Sequence, residues 1–122
     1  MDPMSVRHIA TQVARFETAS GEALAVVQAD GAASPVLAAV VGEFHRKAQK
    51  AVSALANADE RIARETIVEL EQAADSANAA AAADPGAAES TKATIYAAHG
   101  MVCVFKQAML AAGVDATASR PG

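Results

Sequence analysis

Apolar residues recur along the segment 87–113 with the spacing of a buried helix. The inward positions are separated by alternating steps of four and three residues: Thr91, Ile95, Ala98, Val102, Phe105, Met109 and Ala112. Such steps keep side chains on one face of an α-helix, which then packs against its neighbours along a continuous seam. The segment also contains the only tyrosine and the only cysteine of the chain. The pattern therefore predicts a long last helix that contacts several others.

Two earlier segments show the same periodicity between clear boundaries. The first has its seam at Val6, Ile9, Val13, Phe16, Ser20, Ala23 and Val27. Asp30-Gly31 predicts the end of this helix, because glycine readily takes the left-handed conformation that follows a helix C-terminus. The second begins at Ser34-Pro35, a helix cap followed by proline at the first helical position. Its seam consists of Leu37, Val41, Phe44, Ala48, Ala51 and Leu55.

The chain near position 57 allows two architectures. Asn57 and Glu60 have the spacing of a capping box, which would begin a third helix after a tight turn. However, no glycine or proline interrupts positions 43–84. The chain could therefore also continue as one helix over 35–83, about 70 Å long at about 1.5 Å per residue.

The alanine-rich second half of the third segment favours the turn. In an up-down arrangement it lies level with the bulky start of the second helix, so that large side chains face small ones across a thin layer. We therefore predict an all-α fold, an antiparallel up-down four-helix bundle with helices near 3–30, 35–57, 59–83 and 87–112. The bundle is one domain over 1–113, followed by a disordered tail over 114–122. The alternative is a long central helix over 35–83 with two arms, completed by dimerisation.

Composition and charge narrow the function classes. Alanine accounts for 34 of the 122 residues and aromatic residues for 3%, which predicts a thin core with closely spaced helices. The net charge of −4 gives no electrostatic basis for binding nucleic acid or an anionic membrane. A single cysteine fits a reducing compartment, and neither a secretory signal nor an apolar run of about 20 residues is visible. We therefore expect a cytoplasmic protein.

The residues that could carry chemistry are few. His99 and Cys103 lie one helical turn apart and share a face, as two metal ligands or a nucleophile and its base would. His45 is the other candidate metal ligand. However, His45 and His99 each point about 80–100° away from the seam of their helix, and no orienting group or oxyanion site is evident. We predict no catalytic residues, no cofactor and no metal, and keep His45, His99 and Cys103 as metal candidates.

A second apolar stripe on the last helix is the stronger functional signal. It consists of Ala97, Met101, Val104 and Ala108, beside the buried seam. One partner helix would not need so wide an apolar arc, and methionine suits an adaptable contact surface. We predict a non-enzymatic interaction module that self-associates, as a homodimer, or binds a partner helix in the manner of an adaptor or chaperone. The alternative is a metal- or redox-responsive bundle that uses His99 and Cys103.

Overall fold

Four α-helices and two short strands make up the computed structural model, which describes residues 3–115. The helices are α1 (Val6–Ala29), α2 (Pro35–Ala54), α3 (Glu60–Ala83) and α4 (Glu89–Ala112). Each helix packs against the next, and α1 also packs against α4. The predicted all-α four-helix bundle is therefore confirmed, and the continuous helix over 35–83 is not formed.

The turn between α2 and α3 lies where the sequence allowed it, but a different residue caps the new helix. Leu55–Asn57 form a single 3₁₀ turn, and Ala58 is extended. The side chain of Asp59 then accepts a hydrogen bond of 2.8 Å from the backbone N–H of Ile62. Asp59 is thus the N-cap of α3, whereas the capping box had placed the cap at Asn57.

Two aspartates join the interhelical connections at the opposite end of the bundle. Asp30, which ends α1, accepts hydrogen bonds from the backbone N–H of Ala88 at 2.9 Å and the hydroxyl of Thr91 at 2.8 Å. It thereby caps α4, whose own N-cap residue has no side-chain hydrogen bond. Asp84, which ends α3, accepts from the backbone N–H of Ser34 at 2.8 Å. These bonds to the ionised form hold the pKa of both carboxyl groups below the ordinary value.

The predicted seams of α1, α2 and α4 are buried in the core, except for Val6 and Ala112, which are half-buried. The buried face of α3 does not include Ile62 or Thr66, which are only half-buried. Its buried residues are Ala63, Ile67, Leu70, Ala74, Ala77 and Ala81. Four of these six are alanines, and the turn before α3 resets the phase of the helix. The apolar pattern that runs into the turn therefore does not continue beyond it.

The described structure continues past the predicted domain boundary at 113. Val114 pairs with Met4 in a two-residue parallel sheet formed by β1 (Met4–Ser5) and β2 (Val114–Asp115). Val114 is also buried against the core. Gly113, at φ 79°, is the one residue with positive φ among residues 3–115, so the left-handed conformation expected at Gly31 is not formed. The rest of the predicted tail, from 116 onwards, lies outside the described residues.

Candidate functional site

Both candidate features lie on α4, on different sides of its buried seam. His99 and Cys103 lie on the side that faces α3. The second apolar stripe lies on the side that faces α1 and solvent. His99 and Cys103, which we call the polar cluster, and the second apolar stripe are therefore separate sites on one helix.

The polar cluster gains a third member from α3. His99 Nε2 lies 2.7 Å from Asp75 Oδ1 and 3.2 Å from Cys103 Sγ. The thiol sulfur and the same carboxylate oxygen are 3.9 Å apart. Nitrogen, oxygen and sulfur atoms thus converge on one small volume. Cys103 and His99 are half-buried, whereas the side chain of Asp75 is 54% exposed.

This geometry differs from that of a nucleophile relay. In a Cys-His-Asp or Ser-His-Asp triad the imidazole uses one ring nitrogen for the nucleophile and the other for the carboxylate. Here Nε2 of His99 faces both Cys103 and Asp75. A single ring nitrogen carries either a proton or a lone pair, so it cannot accept from the thiol while it donates to the carboxylate. The thiol, the imidazole and the carboxylate therefore converge on one point and do not form a linear proton relay.

An ion pair borders the cluster. Lys106 Nζ lies 2.9 Å from Glu71 Oε1, and both side chains are largely covered. Glu71 is therefore part of the α3–α4 contact. Burial, and then the negative charges of Glu71 and Asp75, raise the pKa of the Cys103 thiol. The hydrogen bond to Glu71 raises the pKa of Lys106. Without a cation at the cluster, Cys103 is therefore a thiol at neutral pH.

The other histidines lie elsewhere. Nδ1 of His45 lies 3.1 Å from the hydroxyl of Ser20, so this histidine belongs to the α1–α2 contact and not to the cluster. Its place among the candidate ligands is taken by Asp75. His8 is exposed and its ring lies 5.8 Å from that of Phe105.

Sequence reasoning missed Asp75 as a neighbour of His99, although the spacing contained a signal. In an antiparallel hairpin, residues equally distant from the connection lie at the same height. Asp75 precedes the end of α3 by eight residues, and His99 follows the start of α4 by ten. Their similar height along the two helices could thus be estimated from the position of the connection at 84–88. The side of α3 that carries Asp75 could not be estimated in this way, because most of the buried residues of α3 are alanines and leave no clear apolar pattern in the sequence.

All four residues of the second stripe are exposed, as the interaction hypothesis requires. Met101 is 37% and Val104 71% exposed, and Ala97 and Ala108 are also at the surface. Their separations of four, three and four residues place them along one line of α4. We call these four residues the apolar strip. Of the six large hydrophobic side chains exposed among residues 3–115, four belong to α4.

A groove between α1 and α4 adjoins the apolar strip. It has a volume of about 570 Å³, and its lining is mostly apolar. The α1 side contributes three polar or charged side chains, His8, Gln12 and Arg15. An apolar centre with a polar edge is the usual composition of a protein–protein contact surface.

The apolar character of α4 exceeds what its packing uses. Among residues 3–115 it is the one helix long and apolar enough, by length and composition alone, to cross a membrane, a criterion that core helices of soluble proteins also meet. Yet only 28% of its most apolar 18-residue stretch is buried. The expectation that the protein contacts no membrane stays a prediction.

Comparison with known proteins adds no constraint on function. No protein-family model matches the chain, and neither a curated protein nor a solved structure is significantly similar to it.

Proposed function

We propose that this protein is a non-enzymatic interaction module that forms a homodimer through the apolar strip of α4. The exposure of Met101 and Val104 within a line of small residues is the observation that carries the proposal. Burying such side chains is favourable by about 25 cal/mol per Å² of apolar surface. A second copy offers the same strip at equal concentration, so no other partner is required. A cytoplasmic location is part of the same proposal.

The order of residues in the strip suits a twofold axis. The strip reads small, large, large, small, and its midpoint falls between positions 102 and 103. An axis through this midpoint pairs two antiparallel α4 helices so that Ala97 opposes Ala108 and Met101 opposes Val104. Such an interface is self-complementary, as a symmetric dimer requires. The alanines at each end let the two backbones approach closely, while the larger residues fill the centre.

Charge supports the same contact. The charged residues of α4 are Glu89, Lys92 and Lys106, and neither they nor His99 belong to the strip. Pairing two strips therefore places no charged residue of α4 at the centre of the contact. Interface cores are depleted in charged residues in this way.

The experiment compares two valines of similar exposure by light scattering at several protein concentrations. Val104 is 71% exposed on the strip, and Val36 is 67% exposed near the start of α2. Val104→Glu removes the burial of a valine from each copy and places two negative charges near each other on either side of the twofold axis, so the dimer dissociation constant should rise roughly 30- to 1000-fold. Val36→Glu should leave it unchanged. A folded wild-type protein that stays monomeric at every concentration would reject the homodimer.

Cross-linking tests the antiparallel arrangement. In a Cys103→Ser background, Ala97→Cys and Ala108→Cys are prepared as separate proteins. In the proposed dimer the two copies of position 97 lie about 16 Å apart, at about 1.5 Å per residue, too far for a disulfide. Neither protein alone should cross-link, whereas their mixture should. Cross-linking of each protein alone would instead indicate a parallel pair.

A further inference from the structure

Three different donor atoms, from α3 and from two adjacent turns of α4, meet at one point of the surface. They are a carboxylate oxygen of Asp75, an imidazole nitrogen of His99 and the thiol sulfur of Cys103, all within 4.8 Å of one another. Each comes from a side chain held by a helix of the bundle, and two of the three side chains are half-buried. We propose that Asp75, His99 and Cys103 bind a divalent transition-metal cation, of which Zn²⁺ is the test ion.

The distances between the donor atoms are close to those of a tetrahedral zinc site. Ordinary zinc–ligand bond lengths at tetrahedral angles separate N from O by about 3.3 Å, N from S by about 3.6 Å and O from S by about 3.5 Å. The observed separations are 2.7, 3.2 and 3.9 Å. Each pair therefore needs to move by about 0.6 Å or less. Small side-chain rotations of the exposed Asp75 and of His99 supply such changes without moving the helices.

The surroundings also favour a cation. Asp75 and Glu71 place negative charge beside the three donor atoms, and this charge attracts a cation. A divalent cation that binds Cys103 displaces the thiol proton and holds the sulfur as a thiolate. The nearby Lys106 is hydrogen-bonded to Glu71 at 2.9 Å, so that most of its charge is offset locally.

The donor set selects the class of ion. A thiolate and an imidazole prefer borderline or soft cations such as Zn²⁺ or Co²⁺, and they discriminate against Mg²⁺ and Ca²⁺, which prefer oxygen ligands. Three protein ligands leave one tetrahedral position for water or another small ligand. The exposure of Asp75 places that position at the protein surface.

This site is independent of the proposed dimer. The cluster and the apolar strip lie on different faces of α4, so that a variant of one should leave the other intact. Val104→Glu should therefore bind metal as the wild-type protein does. Loss of metal binding in that variant would contradict the separation of the two sites.

The test uses tag-free protein from which metal has been removed with a chelator. Titration with Co²⁺ should produce a thiolate-to-cobalt charge-transfer band, and Zn²⁺ should displace it and raise the thermal unfolding midpoint. Cys103→Ser should abolish the band, and Asp75→Asn and His99→Gln should weaken Zn²⁺ binding roughly tenfold or more, an effect at least as large as that of losing an outer-shell partner. All three residues are partly exposed, so these variants are expected to fold, which circular dichroism checks.

His45→Gln is the matched control, because His45 lies outside the cluster and should leave binding unchanged. The proposal is overturned if the wild-type protein shows neither the band nor a zinc-dependent shift. It is equally overturned if binding survives Cys103→Ser at full affinity, or if His45→Gln weakens binding as much as His99→Gln.

Discussion

The alanine-rich half of α3 predicts an unusual sensitivity to added volume. Ala77 is completely buried, and the buried positions on either side of it, Ala74 and Ala81, are alanines as well. The substitution Ala77→Leu adds three carbon atoms to this layer. If the core had space for these three carbon atoms, their burial would stabilise the fold by about 2.4 kcal/mol, at about 0.8 kcal/mol for each buried CH₂ group. If the helices are already in close contact, overpacking should instead destabilise it by about 1–3 kcal/mol.

We expect destabilisation, because alanine allows the neighbouring helices to approach closely. A loss of 1–3 kcal/mol corresponds to a decrease of roughly 3–15 °C in the unfolding midpoint of a domain of this size. Thermal unfolding by circular dichroism, at one fixed protein concentration, measures it. Alanine and leucine have similar helix propensities, so propensity does not confound the result.

Ala79→Leu is the control, since Ala79 is exposed on the same helix. Its effect should stay within about 0.5 kcal/mol. A midpoint that rises in Ala77→Leu would refute the close packing of α3, and a decrease of equal size in both variants would show that the effect is not one of burial.

The remaining predictions concern charge and glycine positions. The pKa values of Asp30 and Asp84 are lowered from 3.8 in the folded protein, so their contribution to stability is complete above this value and is lost as pH falls through the folded pKa. Thermal melts from neutral to acidic pH should show this loss, and Asp30→Asn or Asp84→Asn should make it shallower; an unchanged acid profile would contradict the assignment. Gly100→Ala should stabilise α4 by about 0.5–1 kcal/mol in urea unfolding, since the added Cβ meets no atom within 4 Å. Gly21→Ala should lack this gain in stability, because its Cβ would lie 3.0 Å from the ring of His45. In a His45→Ser background the gain in stability should return. Equal gains from Gly21→Ala and Gly100→Ala in the wild-type background would refute the steric explanation.

The two proposals give α4 two separate roles. One of its faces carries the exposed apolar strip, and another carries the polar cluster, to which α3 contributes Asp75. Dimerisation buries the first face and leaves the second in contact with solvent. A metal bound at the cluster would join α3 to α4 and so stabilise the fold of each protomer. The light-scattering and metal titrations therefore report on different surfaces.

Local patterns in the sequence were enough to define α1, α4 and the start of α2, but not the boundary between α2 and α3. A period near 3.6 residues identifies the buried side of a helix without knowledge of its neighbours, and the seams of α1, α2 and α4 follow from it. The cap at Ser34 and the helix end at Asp30-Gly31 are equally local. Helix geometry alone likewise places His99 and Cys103 on one face. The exposed apolar strip could also be predicted, because it exceeds what one seam requires.

Which residues make up the polar cluster depended on the tertiary structure. Asp75 meets His99 because the connection between α3 and α4 sets their relative height and because the packing of α3 sets its rotation. That rotation is determined by which small residues allow the closest approach, and alanine is too weakly hydrophobic for its periodicity to reveal it in the sequence. His45 lies apart from the cluster because it packs against Ser20 in the α1–α2 contact. The sequence by itself thus determined the buried faces of α1, α2 and α4, whereas only the packing of one helix on another decided the rotation of α3 and which faces meet.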